Sequence, residues 1–270
     1  SKIKNKIFYK IIYYLSIYYS KSYKRILQLE KKYNKILSNT AKKYDFIIEK
    51  SNLDTVLNTH QRSINAIPFV YALKKNNIKT IGAIFSWDNL PKARISVKTN
   101  KYIVWSKHMK NELKFYYPEI DQLNIVITGT PQFDFYYDNN LIMDKKKFCK
   151  RYDLNPYKKI ICFSGNDLLS SPFEETYLEH IINEVNKLEE SLRPQIILRR
   201  SPVDLTGRFD YILKKYNNLI KEVAPLWNFD KNDLTNWSLV YPKFNDVKLL
   251  VNTVKYCDAV INIGSTVAHD

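Results

Sequence analysis

Glycine is scarce in this sequence, with five glycines among 270 residues. Neither the Gly-x-x-x-x-Gly-Lys-Ser/Thr phosphate loop nor the Gly-x-Gly-x-x-Gly fingerprint is present, which argues against a phosphate-loop NTPase and an ordinary NAD enzyme. No Asp-x-Asp pair occurs, so the simplest carboxylate pair for a metal on a diphosphate is missing. The four histidines have no metal-ligand spacing. We therefore expect no metal and no cofactor.

Cysteine is also rare, and the three cysteines are far apart, at positions 149, 162 and 257. An odd number at these spacings predicts neither a disulfide framework nor a zinc site. No apolar run approaches the roughly 20 residues of a membrane-spanning helix, and no signal peptide is recognisable. These features predict a cytoplasmic protein.

Acidic residues are outnumbered, which gives a formal charge of +16. Such a charge favours acidic partners, namely nucleic acid, anionic lipid or phosphorylated substrates. A basic nucleic-acid-binding protein with stacking tyrosines is the non-enzyme alternative. It ranks lower because the 21 tyrosines are dispersed and no nucleic-acid-binding motif is recognisable.

The N-terminal segment, residues 1–43, has apolar residues at mostly helical spacings and predicts one or two helices. Residues 1–33 contain nine Lys/Arg, seven Tyr and a single acid, Glu30. This is the profile of a basic amphipathic helix that lies peripherally on the anionic inner membrane face. A helix packed on the sheet with solvated lysines is an equal alternative.

From residue 44 onward, short β-branched runs alternate with helical patterns, which is typical of parallel sheets. Predicted strands cover 54–58, 80–85, 102–105 and 124–128, then 159–163, 195–198, 219–223 and 259–263. Residues 131–147 interrupt this rhythm and are predicted as a linker. The sequence thus predicts an α/β fold with two Rossmann-like domains, 44–130 and 148–270, the second of them incomplete. The helix after the strand at 159–163 is predicted to bury Tyr177, Ile181, Val185, Leu188 and Leu192.

Two small-residue turns follow predicted strands of the second domain. One is FSGND, with Gly165, and the other is NIGST, with Gly264. Turns of this kind at the carboxyl edge of a sheet offer backbone N–H groups to a phosphate. Each turn is also explained by backbone geometry alone, so only the pair favours a nucleotide site.

Two polar clusters follow predicted strands of the first domain. They are NTHQRS at 58–63 and FSWDNLP at 85–91. His60 and Asp88 are capable of general-base catalysis, and Trp87 offers a flat face for a sugar or base. The structural alternatives are a helix cap at Asp88, a core position for Trp87 and a loop contact for Arg62.

Three segments resemble bacterial glycosyltransferases of the GT-B architecture, in particular those of surface polysaccharide assembly. They are TIGAIFSWDNLPKARISVKTNKYIVWSKHMKNEL, IVITGTPQFDFY and YCDAVINIGSTVAHD. CDP-glycerol glycerophosphotransferases are similar in design. The resemblance implies an N-terminal domain for a saccharide or lipid-linked acceptor and a C-terminal domain for a nucleotide-sugar donor. Transfer of a CDP-activated glycerophosphate or alditol phosphate and nucleotide-sugar 2-epimerisation remain alternatives.

The resemblance also implies roles for individual residues. Asp88 or His60 would be the base, and the acceptor would contact Gln61, Arg62, Trp87 and Asn89. Gly264, Ser265 and Thr266 would contact the donor diphosphate, and Asp270 the ribose. The opposing turn would be Ser164, Gly165 and Asn166, with Arg199 or Arg200 stabilising the leaving diphosphate. Ser201 stands where many relatives have a histidine, and we expect further elements of the domain beyond Asp270.

Overall fold

The computed structural model describes residues 2–228, 240–265 and 267, with side chains from residue 6 onward. The chain divides into two compact units, Ser1–Thr130 and Pro131–Asp270. Of the predicted site residues, Thr266 and Asp270 lie outside the described residues.

Short parallel strands alternate with helices in both units. In the first unit the helices are α1 (Lys2–Ser20), α2 (Tyr23–Ala41), α3 (Asp45–Lys50), α4 (Ile67–Lys75), α5 (Asn89–Lys92) and α6 (Lys107–Tyr116). Its strands are β1 (Thr55–Asn58), β2 (Lys79–Ala83), β3 (Lys101–Val104) and β4 (Ile125–Ile127).

The helices of the second unit are α7 (Lys145–Arg151), α8 (Glu174–Asn186), α9 (Asp210–Lys215) and α10 (Phe244–Tyr256). Its strands are β5 (Ile160–Ser164), β6 (Gln195–Arg199), β7 (Ile220–Glu222), β8 (Trp227–Asn228), β9 (Tyr241–Pro242) and β10 (Ala259–Ile261). The sequence pattern did not indicate the antiparallel ribbon of β8 and β9, since two residues are too few to show a period.

The two main sheets are parallel but differ in strand order. The first sheet runs β1-β2-β3-β4, so each strand lies beside its successor in the chain. The second sheet runs β10-β5-β6-β7, so β10 returns to the free side of β5. This arrangement confirms the predicted α/β class with parallel sheets.

Alternation along β6 builds two cores in the second unit. Ile196 and Leu198 face a cluster formed with α8 and α9, whereas Ile197 faces a cluster formed with α7 and α10. Because successive side chains of a strand point to opposite faces, both faces of this sheet are covered by helices. The result is a three-layer α/β/α unit.

The predicted buried stripe of α8 is confirmed only in part, since Val185 is buried and Ile181 is half-buried against the core. Leu178, Ile182 and Val185 are buried, while Tyr177 is exposed. The helix also ends at Asn186, so the predicted positions Leu188 and Leu192 lie beyond it and are exposed. With apolar residues at both 177 and 178 and at both 181 and 182, the pattern fits two adjacent stripes, and packing selects one.

The N-terminal segment divides at residues 21–22 into α1 and α2. Leu37 of α2 packs with Ile67 and Val70 of α4. Lys98 holds Glu30 at 2.9 Å, and Arg94 pairs with the same carboxylate. These contacts fix α2 to the first unit.

Residues 131–147, predicted as a linker, contain two 3₁₀-helices, Pro131–Tyr137 and Asn139–Leu141, and the start of α7. The Asn252 side chain of α10 donates to Leu141 O at 2.8 Å and accepts from Met143 N at 2.8 Å. This segment is therefore attached to the second unit.

Candidate functional site

An open cavity of about 630 Å³ lies at the carboxyl edge of the second sheet. The chain passes from β5 through β6 to β7 on one side and then returns to β10 on the other, so the strand order reverses between β5 and β10. Ligands of open α/β sheets bind at such a reversal. The cavity is lined there by Ser164 at the end of β5, Arg199 at the end of β6 and Gly264 after β10.

Arg199 is a buried cation that lines this cavity and is held by an ion pair. Its Nη2 donates to both carboxylate oxygens of Asp246, at 3.0 and 2.9 Å, and both side chains are buried. Asp246 also accepts from Leu226 N at 2.7 Å and from Trp227 Nε1 at 2.8 Å. Four hydrogen bonds thus hold the carboxylate, and the carboxylate in turn fixes the guanidinium.

The second terminal nitrogen of Arg199, Nη1, is buried and has no hydrogen-bond partner among the described residues. An unsatisfied donor of this kind costs free energy, about 1–3 kcal/mol and more for a charged group. A ligand that accepts a hydrogen bond would remove that cost. Arg199 therefore offers a buried hydrogen-bond donor, held in place by Asp246, in a cavity large enough for a small ligand.

Two hydroxyl groups meet across the reversal point. Ser164 Oγ donates to Ser265 Oγ at 3.2 Å, although the two residues are far apart in sequence. Ser164 is buried and Ser265 is half-buried. The predicted turns after β5 and β10 are thus brought together.

The backbone N–H groups of the turn after β5 are already used within the protein. Gly165 N donates to Arg199 O at 2.9 Å, and Asn166 N donates to Glu174 Oε2 at 2.6 Å. In this geometry neither N–H group is available to a phosphate. The expectation that this turn would supply backbone donors to a phosphate is corrected. The buried carboxylate of Glu174 accepts the Asn166 N–H bond that was expected to go to the phosphate.

Arg208 joins the loops that follow β5 and β6. Its guanidinium donates to Asn166 O at 2.7 Å and pairs with Glu174 at 3.1 Å and Asp204 at 2.6 Å. Burial raises the pKa of Glu174, although Asn166 and Arg208 act to lower it. The buried guanidinium of Arg208 therefore connects the loop after β5 to the loop after β6.

Arg200, the other predicted cation, is engaged elsewhere. Its Nε lies 2.5 Å from Glu222 Oε1, and its Nη2 lies 3.0 Å from Asp210 Oδ1. Burial acts to lower the pKa of the guanidinium, but these two carboxylates outweigh burial and raise the pKa. Arg200 lines the cavity, but its charge is balanced by two carboxylates.

The turn after β10 is described as far as Ser265 and at residue 267. Ser265 N donates to Asn262 Oδ1 at 3.2 Å, and Val267 N donates to Ser265 Oγ at 3.4 Å. A Cβ added at Gly264 would meet no heavy atom within 4 Å. Among the described residues, the protein therefore leaves space at Gly264 for a side chain or for a ligand.

The two polar clusters of the first unit also come together, at the carboxyl ends of β1 and β2. Gln61 Nε2 donates to Asn89 Oδ1 at 3.1 Å, and Phe85 N donates to Gln61 Oε1 at 2.9 Å. Both Gln61 and Asn89 are buried. Their observed contacts join the two loops, and acceptor binding by them stays a prediction.

Asp88 precedes α5 but makes no side-chain cap with its backbone. Its carboxylate accepts from Ser86 Oγ at 2.8 Å and Asn89 Nδ2 at 3.1 Å and pairs with Lys92. Burial acts to raise the pKa of Asp88, but these hydrogen bonds outweigh it and lower the pKa. A lowered pKa keeps the group ionised but makes it a weaker proton acceptor.

His60 stacks on Phe85, with ring centroids 4.4 Å apart. Its Nδ1 accepts from Arg62 N at 3.3 Å, which places the proton of a neutral imidazole on Nε2. Arg62 and Trp87 are exposed beside this pair of loops. The first unit thus gathers all six predicted catalytic and acceptor residues at one sheet edge.

The described residues hold no group of three or more His, Cys, Asp or Glu side chains placed to bind a metal ion. Cys149 and Cys162 are buried, Cys257 is half-buried, and all three are free thiols. The expectation of a metal-independent site stays a prediction.

Sequence reasoning missed Asp246, Trp227 and Arg208. Asp246 lies in the first turn of an ordinary amphipathic helix, and Arg208 lies in a loop with no motif around it. Apart from Asp204, which lies four residues from Arg208, the partners that define their roles are 19 to 47 residues away. No local signal identifies such partners.

Comparison with solved structures supports the same architecture. S. aureus MnaA, solved with UDP, matches with a TM-score of 0.50 and 13% identity over 86% of this chain and 59% of that one. The UDP-GlcNAc 2-epimerase of Neisseria meningitidis, bound to UDP-GlcNAc, matches with a TM-score of 0.50 and 10% identity over 86% of this chain and 60% of that one. A glycosyltransferase from Rickettsia africae matches with a TM-score of 0.47 and 19% identity, over 74% of this chain and 52% of that one.

No protein-family profile matches the chain, and no curated protein matches it. At these identities the two matches with a TM-score of 0.50 establish the fold alone. The chain is an α/β protein of the Rossmann-like GT-B type, with parallel sheets. It spans about three fifths of the length of MnaA and the Neisseria epimerase.

Proposed function

We propose that the second unit binds the diphosphate of a nucleotide-sugar and that the chain belongs to an enzyme transferring the sugar to an acceptor hydroxyl. One observation carries this proposal. Arg199 Nη1 is a buried donor with no partner among the described residues, in a cavity at the strand-order reversal. A phosphate oxygen is the acceptor that best suits a guanidinium nitrogen.

The charges around the cavity favour recognition by directed hydrogen bonds. Asp246 balances Arg199, and Glu222 and Asp210 together exceed the charge of Arg200, so these ion pairs leave no net positive charge. The hydroxyls of Ser164 and Ser265 add two groups able to donate to phosphate oxygens. A diphosphate is therefore expected to bind through positioned donors held by the fold.

Transfer would break the bond between the anomeric carbon and the diphosphate oxygen and form a bond from that carbon to the acceptor oxygen. The acceptor proton would pass to a base of the first unit, Asp88 or His60. Arg199 would stabilise the charge that develops on the leaving diphosphate. The resemblance of the SWDN, GTPQFD and GST segments to bacterial glycosyltransferases supports transfer, with surface polysaccharide as the acceptor class.

A nucleotide-sugar 2-epimerase is the second candidate, because the Neisseria enzyme shares the fold over 86% of this chain. The same diphosphate site would serve it, but no acceptor would be needed. Transfer of a glycerophosphate from a CDP-activated donor would also use this site.

Calorimetric titration with UDP, CDP and GDP tests the binding step. The variant Arg199→Met/Asp246→Asn removes the donor without leaving a lone buried charge, and Arg151→Met, an exposed arginine of the same unit, is the matched control. We expect the double variant to bind at least about tenfold more weakly, the scale of one charged hydrogen bond, and the control to bind normally. Equal affinity in a folded double variant would remove the diphosphate from this cavity.

Proton NMR of the full-length enzyme with a UDP-sugar distinguishes the two activities. Release of UDP that depends on an added saccharide or lipid-linked acceptor supports transfer. A new sugar stereoisomer formed without any acceptor supports epimerisation.

A further inference from the structure

The first helix, α1, presents an unusually apolar surface to solvent. Every described side chain from Lys6 to Tyr18 is exposed. Ten of these side chains are large and apolar, and each is at least 39% exposed: Ile7, Phe8, Tyr9, Ile11, Ile12, Tyr13, Tyr14, Leu15, Ile17 and Tyr18. A contiguous apolar surface of this extent marks an interaction site.

The spacing of these residues gives α1 two different sides. Ile7, Ile11 and Leu15 lie four residues apart and so share one face of the helix. Lys6 and Lys10 are also four residues apart and lie on a neighbouring side of the helix, together with Ile17. An apolar face beside a lysine face is the arrangement of a helix that lies in a lipid–water interface.

The charge around α1 has one sign. Residues 1–25 contain seven Lys/Arg and no acid. The first acidic residue of the sequence, Glu30 of α2, is already paired with Arg94 and Lys98. This segment therefore complements an anionic surface and repels a basic one.

The structure holds α1 to the first unit near its C-terminal end. Arg25 donates to Tyr18 O at 3.2 Å and lies over the Tyr18 ring at 4.3 Å, and Lys32 donates to Tyr19 OH at 3.2 Å. Since α2 is fixed to the unit through Leu37 and Glu30, α1 is attached but keeps its apolar face uncovered among the described residues. Among those residues, no helix has the length and apolarity needed to cross a bilayer.

We infer that α1 is a lipid-binding helix that docks the first unit on an anionic membrane. The face of Ile7, Ile11 and Leu15 enters the interface, the tyrosines lie at headgroup level, and Lys6 and Lys10 contact lipid phosphates. This inference does not depend on the proposed sugar transfer. A second copy of the chain is the competing occupant of the same face.

Cosedimentation with vesicles tests the inference on the 270-residue chain. The vesicles are phosphatidylcholine alone or with about 30% phosphatidylglycerol, a typical anionic surface. We expect binding to the anionic vesicles, little binding to the neutral ones, and a large loss at about 0.5 M salt, where surface charges are screened.

Three variants separate the contributions. Lys6→Glu/Lys10→Glu should weaken anionic binding at least about tenfold, since each lysine near the surface contributes measurably. Lys146→Glu/Lys150→Glu on α7 makes the same charge change at the same spacing and should bind as the wild type. Ile11→Gln/Leu15→Gln changes no charge and should also weaken binding, which purely electrostatic attraction would not show.

Two results would overturn the inference. One is equal vesicle binding by the α1 and α7 charge variants, which would reduce the effect to net charge. The other is a concentration-dependent dimer in sedimentation velocity that Ile11→Gln/Leu15→Gln converts to monomer, without vesicle binding by the wild type. Circular dichroism confirms folding, and these exposed positions contribute nothing to the described cores.

Discussion

The buried ion pair of Arg199 and Asp246 allows a quantitative test of whether the pair contributes to stability or to ligand binding. Breaking a buried ion pair by removing one partner costs about 3–5 kcal/mol, because the other charge stays buried and unpaired. We expect Arg199→Met and Asp246→Asn each to destabilise the protein by about that amount. A domain of this size has about 5–15 kcal/mol of stability, so both single variants should remain partly or fully folded.

The double variant should be much less affected than the sum of the single variants. Arg199→Met removes the charge, and the asparagine introduced by Asp246→Asn would keep one oxygen to accept from Leu226 N or Trp227 Nε1, two donors that Asp246 now satisfies. One donor is then left without an acceptor, at a cost of about 1–3 kcal/mol. The sum of the single changes is about 6–10 kcal/mol, so the coupling energy should be at least about 3 kcal/mol.

Urea unfolding of the 270-residue chain, followed by far-UV circular dichroism, measures these free energies. If the two changes add to within about 0.5 kcal/mol, the pair is not coupled and the reasoning fails. Calorimetry on the same double variant gives the second readout. A stable double variant that no longer binds a nucleoside diphosphate would show that the pair serves ligand binding, with little net contribution to stability.

The remaining predictions concern the edges of the two units. Gly264→Val should keep its urea midpoint, because a Cβ there meets no atom of the described residues within 4 Å, yet lose UDP binding by steric exclusion; bound UDP of normal affinity would contradict this. Ser265→Ala should weaken UDP binding by about 1 kcal/mol, measured by calorimetry, and an unchanged affinity would leave the turn as a connection only. For the proposed transfer, Asp88→Asn should lower turnover about 100-fold with only a small loss of thermal stability from the weakened contacts to Ser86, Asn89 and Lys92, whereas normal turnover would place the base elsewhere. Burial acts to raise the pKa of Glu119, but its hydrogen bonds, chiefly those from Lys98 and Tyr23, together outweigh burial and lower the pKa below its ordinary value of 4.5. The ionised group therefore stabilises the protein above that pH, and the contribution is lost as pH falls through the lowered pKa. Glu119→Gln should accordingly show a shallower loss of stability between neutral pH and pH of about 3 in urea titrations, and a loss as steep as that of the wild type would refute the assignment.

The sequence alone was sufficient for the α/β class and for the positions of the main strands. Each predicted strand overlaps an observed one, because β-branched runs between helical patterns are a local property of the chain. The polar clusters at 58–63 and 85–91 were recognisable for the same reason. Six polar residues in succession after a strand are visible without knowledge of the fold.

Tertiary structure decided which of these residues act together. The order β10-β5-β6-β7 places Ser265 beside Ser164, and this order depends on which side of β5 the chain returns to. The partner of Arg199 is Asp246, 47 residues further on, in a helix whose sequence shows only ordinary amphipathicity. Packing likewise selected Leu178 over Tyr177 as the buried position of α8. Local periodicity indicates which positions of a segment are buried or exposed. Which neighbour a residue contacts depends on strand order and helix crossings, and no short segment encodes these.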